Sequence, residues 1–317
     1  MKPFRNLLLA LAATCLSAFA ADQALLKMLP GDSMFVAGIN ADQIRTSRFG
    51  QFLLDQLKSE EQNMEKFISM TGFDPRRDLQ ELVVASNDAR GKGNALVVAR
   101  GRFDANRISQ FARTSGAAST FYKGVEVLTG NDKGGKSNGW IAILDATTAL
   151  AGEQEAVKAA IDRKAMGGTG MKAETLAKIN DLSTRYDAWM VSASLERLAD
   201  DVKPEVAQTM HGNLMAGMQS VLGGVRFGTN VELMAEATMR SEKDAQAMVD
   251  VVKFLTGMMQ LNSEDQKAAE FAKLLDKMVL KSTGNQFRLT MTLPEDMVES
   301  MLKPAVNVRR KASTPVI

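Results

Sequence analysis

The chain repeats one order of predicted elements, and this internal repeat constrains its fold more than any other sequence feature. The clearest match sets ALVVARGRFDANRISQFAR, which starts at residue 95, beside VELMAEATMRSEKDAQAMV, which starts at residue 231. Both segments contain an apolar strand, an arginine, a helix N-cap and an amphipathic helix. The repeat predicts two units, residues 21–170 and 171–303, joined by the glycine-rich segment 166–171.

Alternating polar and apolar residues identify most of the predicted strands. In 231–239 and 286–293 every second residue is apolar, which is typical of half-buried antiparallel strands with one wetter face. The polar residues that define this wetter face are Glu232, Glu236, Arg288, Thr290 and Thr292. Further strands are predicted at Met34–Ile39, Glu81–Ser86, Ala95–Gly101, Ser119–Thr129 as a hairpin, Trp140–Asp145, Thr148–Ala151, Asp187–Ser194, Val225–Gly228 and Val279–Ser282.

Helical sequence separates these strands. The longest such stretches run from 40 to 67, from 195 to about 222 and from 241 to 261. Helices interleaved with hairpins favour the α+β class over a doubly wound parallel sheet. We therefore expect two duplicated, ferredoxin-like β-β-α-β-β units with antiparallel sheets and with helices packed mainly on one side.

The first 20 residues predict export. Lys2 and Arg5 precede a short apolar run that ends in Ala18-Phe19-Ala20, the order typical of a secretory signal cleaved before Ala21. No other apolar run approaches about 18 residues, so we expect no transmembrane segment after cleavage and a periplasmic or extracellular location. Cys15 leaves lipidation open as an alternative. The end of the chain, 304–317, loses its periodicity and is expected to be a mobile basic tail.

Composition excludes several classes of protein. The chain has one Cys and one His in 317 residues, which argues against disulfide scaffolds and His/Cys metal sites. Lys plus Arg number 39 and Asp plus Glu number 37, so no overall positive field attracts nucleic acid. A Ser-His-Asp triad would have to use His211. We expect no catalytic residue, no metal and no cofactor.

Residues 130–137 match the phosphate-loop pattern G-x-x-x-x-G-K-[ST] in every letter. In a phosphate loop the segment leads into a helix, whose N-terminus faces the anion. Here it leads into the apolar run Trp140–Leu144, which predicts a strand. We therefore interpret the match as a polar hairpin loop rather than a nucleotide site.

Two other features suggest binding. Asp74, Arg76, Arg77 and Asp78 form a dense group of charges, which could clamp an anion or could pair with one another at a turn. The chain also has 20 methionines, flexible side chains that fill cores but also line adaptable grooves. A groove of this kind would accept a peptide or an apolar small ligand.

Four segments carry a resemblance to a known family: LLKMLPGDSMFVAGIN, TGFDPRRDLQELVVAS, ALVVARGRFDANRI and TALAGEQEAVKAAID. Together they resemble an uncharacterised family of secreted bacterial proteins with no established activity. The resemblance covers most of the chain after the signal. It implies export and a duplicated α+β design, and it implies no catalytic residue.

These observations favour an exported, non-enzymatic binding or interaction protein of the bacterial envelope. We expect its site at the seam between the two units or on the wetter sheet face, because clefts between similar halves are common ligand sites. Its partner could be an envelope protein, a peptide or an apolar small ligand. Two alternatives stay open: a hydrolase of unrecognised type that uses carboxylate or Ser/Lys chemistry, and a self-associating structural module or homo-oligomer.

Overall fold

The computed structural model describes residues 20–56, 61–88, 94–130, 139–167, 170–193, 214, 217–261 and 274–299. Apart from Ala20, the predicted signal peptide lies outside the described residues, and so does the predicted tail. The strands are β1 (Phe35–Asn40), β2 (Leu79–Ser86), β3 (Ala95–Gly101), β4 (Ala118–Tyr122), β5 (Val125–Thr129), β6 (Gly139–Asp145), β7 (Thr148–Glu153), β8 (Ala188–Ser192), β9 (Met218–Phe227), β10 (Asn230–Met239), β11 (Met278–Thr283) and β12 (Gln286–Pro294).

The helices connect these strands. They are α1 (Gln23–Leu26), α2 (Ala41–Thr46), α3 (Arg48–Gln56), α4 (Glu61–Thr71), α5 (Pro75–Asp78), α6 (Ala105–Thr114), α7 (Gln154–Met166), α8 (Ala173–Arg185) and α9 (Glu242–Leu261). Residues 295–299 are also helical. None of the helices in the described ranges is long and apolar enough to span a membrane.

All the strands in the described ranges belong to one 12-stranded sheet with the order β11-β12-β10-β9-β8-β1-β2-β3-β7-β6-β5-β4. Each neighbouring pair is antiparallel, including the central pair β1–β8. Going outward from this pair, the strands follow one another in chain order in both directions, as β1, β2, β3 and as β8, β9, β10. Beyond β3 lie β7 and β6, and then the hairpin β4–β5 at the edge. The mixed architecture with a large antiparallel sheet is confirmed. The duplication, its ferredoxin-like character and the boundary at 170/171 stay predictions.

Local sequence explains several of the connections. The β4–β5 hairpin turns at Lys123 and Gly124, whose φ angles of 49° and 82° are those of a tight turn that matches the twist of the strands. The Asp104 side chain caps α6 by accepting from the Arg107 N–H at 3.1 Å. The tight turn joins two neighbouring antiparallel strands, whereas α6 leads from β3 to β4, which are not neighbours in the sheet.

The main core lies on one face of the sheet, beneath α1, α7 and α8. From the strands it contains Val36, Val83, Ala85, Leu96, Val98, Val127, Leu150 and Val191, from the helices Leu25, Leu26, Val157, Ala160, Ile179 and Leu182, and from the turn after α1 Leu29. At the central pair the Trp189 ring lies over Gly38, where a Cβ would come within 2.3 Å of the ring. One core therefore crosses the predicted boundary between the two units.

A second core lies on the opposite face, beneath α9. Met234 belongs to the main core, whereas Ala237 of the same strand packs in this second core with Met248 and Phe287. Because side chains alternate along a strand, residues three apart face opposite sides of the sheet. On α9's side of the sheet, Phe49 of α3 also contacts the Phe227 ring, with centroids 5.7 Å apart.

The prediction that helices pack mainly on one side is therefore wrong. The physical reason lies in the central strands, which are apolar at consecutive positions, as in Leu82-Val83-Val84 and Leu96-Val97-Val98. Strands of this kind need cover on both faces.

One secondary-structure prediction is also wrong. Residues 218–222, predicted as helix, form the beginning of β9. There, Val221 and Leu222 pair with Ser192 and Val191 of β8, and β10 pairs on the other side. Pairing with two distant strands overrides the local helical pattern. Residues 195–213, the first part of that predicted helix, lie outside the described residues.

Candidate functional site

The five residues of the predicted wetter face lie on two paired strands, β10 and β12. Cross-strand pairing sets Glu232 opposite Thr292 and Glu236 opposite Arg288, and Thr290 lies between them. The Arg288 guanidinium donates to Glu236 Oε2 at 2.8 Å, although the glutamate is only 7% exposed. The structure therefore places the five residues on neighbouring strands, and among them Arg288 and Glu236 form an ion pair.

A polar cavity of about 410 Å³ lies beside this face at the seam between the predicted units. It is lined by Val36 of β1, Val191 of β8, Ser220 of β9, Glu236 of β10 and Lys178 of α8, among others. The location agrees with the expected seam. Part of the charge in its lining is neutralised within the protein, since Lys178 forms an ion pair with Glu174 at 2.8 Å.

The charge group 74–78 is a self-neutralised turn. Asp74 caps α5 and accepts from the backbone and from the side chain of Arg76, each at 3.0 Å. Asp78 is 4% exposed and accepts two bonds from Arg77, at 2.9 and 2.7 Å. Hydrogen bonds from the arginines hold the pKa of both carboxyl groups below the ordinary value. The local pairing considered from sequence is therefore present.

A mainly apolar cavity lies on the opposite face, between the ends of β1 and β2 and the helices α2 to α5. Its volume is about 250 Å³ and it is partly enclosed. Its lining is Ile39, Ala41, Ile44, Arg45, Leu54, Met64, Glu65, Pro75, Arg76 and Leu79. Apart from Arg76, none of these residues belongs to a candidate site predicted from the sequence.

Hydrogen bonds fix the wall of this cavity. The Asn40 side chain caps α2 by accepting from the Gln43 N–H at 3.0 Å. Arg45 of α2 donates to the Leu79 carbonyl at 2.6 Å and to the Arg76 carbonyl at 3.3 Å. Burial lowers the pKa of Arg45, and the nearby charge of Arg102 lowers it further. Because Arg45 and Arg76 use their donors on the protein itself, the cavity presents mostly aliphatic surface.

No sequence signal marks this cavity. Ile39 is the penultimate residue of β1, Leu54 and Met64 lie on two separate helices, and Leu79 begins β2. Each of these residues, taken alone, is typical of a hydrophobic core. Only the packing of α2 to α5 leaves a space between these side chains. The amphipathic pattern of α3 would have indicated only that one face of this helix is covered.

Two other features bear on chemistry. The segment 130–137 joins β5 to β6, which are antiparallel neighbours, so the strand predicted after the phosphate-loop pattern is confirmed. Residues 131–138 themselves lie outside the described residues. Within the described ranges, no group of three or more His, Cys, Asp or Glu side chains is placed to hold a metal ion.

Comparison with known proteins adds information on the fold. No model of a known family matches the chain, and a search of curated proteins finds no significant match. Crystal form I of TP0453 is similar with a TM-score of 0.50 at 9% identity, covering 89% of this chain and 97% of that one. Crystal form IV of TP0453 gives 0.50 at 8% identity, covering 87% and 95%. At such identities the similarity concerns the fold alone.

Proposed function

We propose that this protein is an exported, non-enzymatic binding protein of the bacterial envelope that holds a small apolar molecule in the cavity beneath α2 to α5. The observation that carries this proposal is the cavity of about 250 Å³ with its mostly aliphatic lining. A partly enclosed apolar pocket with few polar groups is the usual form of a small-molecule site. The signal-like N-terminus supports export.

The size and lining of the cavity define the class of ligand. Empty apolar cavities of about 150 Å³ accept benzene, so one of this volume has room for a larger compound, such as a medium-length acyl chain. Met64 and Leu54 are flexible enough to adapt to chains of different length. Since the arginine donors are engaged on the protein, we expect an uncharged ligand to bind without a strong anionic contact.

A matched pair of substitutions tests the proposal. Met64→Trp fills the cavity, whereas Met166→Trp makes the same change at a helix end where the side chain is 76% exposed. The probe is the uncharged fluorophore N-phenyl-1-naphthylamine, which is excited directly in its own absorption band. Decanol serves as the competitor that displaces it. We expect saturable binding that Met64→Trp weakens by about tenfold or more, since overpacking costs about 1–3 kcal/mol.

Met166→Trp should leave the affinity unchanged, and circular dichroism should show that both variants are folded. Absence of saturable binding, or an equal loss in both variants, would disprove the assignment of the site. A chain that binds the fluorophore but stays in the cytosol when produced with residues 1–20 would instead contradict the proposed export.

Self-association is the second candidate, and one observation favours it. Strand β4 forms one outer edge of the sheet, and its Phe121 side chain is 70% exposed. An open edge with a large exposed apolar residue is a template for pairing with another chain. Sedimentation analysis should then show a dimer that Phe121→Lys dissociates, whereas a wild-type chain that is monomeric at high concentration would eliminate this candidate.

A further inference from the structure

The backbone of Ala21 and Asp22 lies in a polar site that is buried at Ala21 and half-buried at Asp22. Ala21 is 5% exposed, and its nitrogen donates to Ser183 Oγ of α8 at 2.9 Å. The next nitrogen, that of Asp22, donates to both carboxylate oxygens of Glu81 on β2, at 3.2 and 3.1 Å. Ala20 is exposed. The chain therefore passes from solvent into the protein interior between residues 20 and 21.

The residues that follow hold this segment in place. Leu25, Leu26 and Leu29 are almost completely inaccessible and belong to the main core. The Asp22 carboxylate accepts from the Ala24 N–H at 2.7 Å and pairs with Arg100. The position of Ala21 is thus fixed by a helix cap, an ion pair and buried leucines, which keeps its nitrogen directed at Ser183.

The charges around this site do not balance. Asp22 and Glu81 supply two carboxylates, whereas Arg100, which pairs with Asp22, is the cation that acts on Glu81. Burial raises the pKa of Glu81 to about 7, and the negative charge of Asp22 contributes to this increase. An additional positive charge beside Glu81 would stabilise its ionised form.

We propose that the α-ammonium group of Ala21, formed when the signal peptide is removed, occupies this site, donates to Ser183 Oγ and neutralises Glu81. Hydrolysis of the Ala20–Ala21 peptide bond consumes one water. It leaves a carboxylate on Ala20 and an amine on Ala21, and the amine takes up a proton. The Ala21 nitrogen already points at Ser183, so this hydrogen bond is retained.

This inference rests on the export that we propose above. It also means that the position of the new positive charge depends on the exact residue at which the signal peptide is cleaved. A terminus at residue 21 places the new charge next to Glu81, in an interior where charge interactions are strong. A terminus one residue earlier places the charge on exposed Ala20 and leaves an uncharged amide at position 21. Signal removal would then complete the fold as well as release the protein.

The first test locates the terminus and measures its reactivity. Intact-mass analysis of the exported protein should give Ala21 as the first residue. Reductive methylation should modify its α-amine at least about tenfold more slowly in the folded protein than in urea, as expected for a group held in a rarely opening region. A chain engineered to begin at Ala20 is the matched control, and its α-amine should react at a similar rate in both conditions.

The second test measures the coupling between the terminus and Glu81. Chains that begin at Ala21 and at Ala20 are each combined with Glu81→Gln, which keeps an oxygen acceptor for the Asp22 N–H. At pH 7 we expect the extra residue to lower Tm by about 2–4 °C. Glu81→Gln should lower Tm in the Ala21 chain and should leave it unchanged or raise it in the Ala20 chain. Glu155→Gln, on exposed α7 surface, should shift neither.

Three results would overturn the inference: a native terminus at another residue, an Ala21 amine that reacts as fast when folded as when unfolded, or the same effect of Glu81→Gln in both chains. Because the chains that begin at Ala20 and Ala21 can be released from a removable tag, the docking is tested even if the protein is not exported. Failure of export with a protected Ala21 amine would contradict the proposed function alone.

Discussion

The described helices cover the two halves of the sheet, β1 to β3 and β10 to β12, differently. The strands β1 to β3 carry apolar residues on both faces, with α1, α7 and α8 on one face and α2 on the other. The strands β10 to β12 have α9 on one face, and their other face carries the ion pairs Arg288–Glu236 and Arg226–Glu232. Consecutive apolar residues thus occur where both faces are packed, and alternation occurs where one face is polar.

Each half of the sheet has one strand glutamate that is shielded from solvent, fully for Glu236 and partly for Glu81, and the two are stabilised differently. Glu236 is 7% exposed and pairs with the side chain of Arg288. Glu81 accepts from the backbone N–H of Asp22, while Arg100 pairs with Asp22 itself. A buried carboxylate is stable when a cation or several donors compensate its loss of hydration. We therefore expect the two glutamates to respond differently to the loss of their partners.

The largest effect is expected from truncation of the main core. Leu150 of β7 is 1% exposed, so Leu150→Ala leaves a cavity and should lower the free energy of unfolding by about 2–5 kcal/mol. Val279→Ala on edge strand β11, where the side chain is 49% exposed, should change it by less than about 0.5 kcal/mol. Urea titration measures both changes. Equal losses would show that the edge of the second half is packed as tightly as the core.

The next effect is a pH dependence caused by Glu81. In a chain that keeps a residue before Ala21, the pKa of Glu81 is raised from 4.5 to about 7, chiefly by burial, and the groups facing it are Asp22 and Arg100. A carboxyl group with a higher pKa in the folded than in the unfolded state binds its proton more tightly when folded. Its stabilising contribution is complete below about pH 4.5 and is lost as the pH rises through about 7.

This loss should amount to about 2–3 kcal/mol, measured by urea titration between pH 4.5 and 8. Glu81→Gln should abolish the decline in that chain, whereas Glu155→Gln should preserve it. A chain that begins at Ala21 should show a smaller decline, because its ammonium group stabilises the ionised carboxylate. A decline of the same size in the wild-type and Glu81→Gln chains would assign it to other groups.

A smaller effect is expected on the polar face. Arg288→Ala leaves the buried Glu236 without its ion-pair partner and should lower the free energy of unfolding by about 1–2 kcal/mol. Arg226→Ala removes an exposed pair with Glu232 and should have an effect below about 0.5 kcal/mol. Thermal unfolding of both variants in low and high salt compares them directly. A larger loss for Arg226→Ala would mean that Glu232 is the more important carboxylate.

Much of the fold follows from local sequence pattern. Ala95–Gly101 is a strand within its predicted bounds, and the hairpin turn at Lys123–Gly124 is where the sequence places it. Alternation in 231–239 and 286–293 also indicates which residues share a face, and the register of β10 and β12 sets Glu232 opposite Thr292 and Glu236 opposite Arg288. The beginning of β9 was not predictable in this way, since 218–222 becomes a strand through pairing with β8 and β10.

The sites show the same division. The charges of 74–78 could be identified from sequence, but only the structure shows that Asp74 and Asp78 are satisfied by the neighbouring arginines. The apolar cavity and the Ala21–Glu81 site were not predicted. Glu81 is one carboxylate among many in the sequence, and its contact with the Asp22 backbone depends on where the N-terminal segment packs.

The sequence by itself determined the class of fold, because side-chain periodicity and turn residues act over a few neighbouring positions. It also determined the signal-like N-terminus and the scarcity of Cys and His. The tertiary structure alone decided that all strands join one sheet, that helices cover both of its faces, and that a cavity and a buried carboxylate lie beside them. These features depend on contacts between residues far apart in the chain, such as Ala21 with Ser183, which no local pattern encodes.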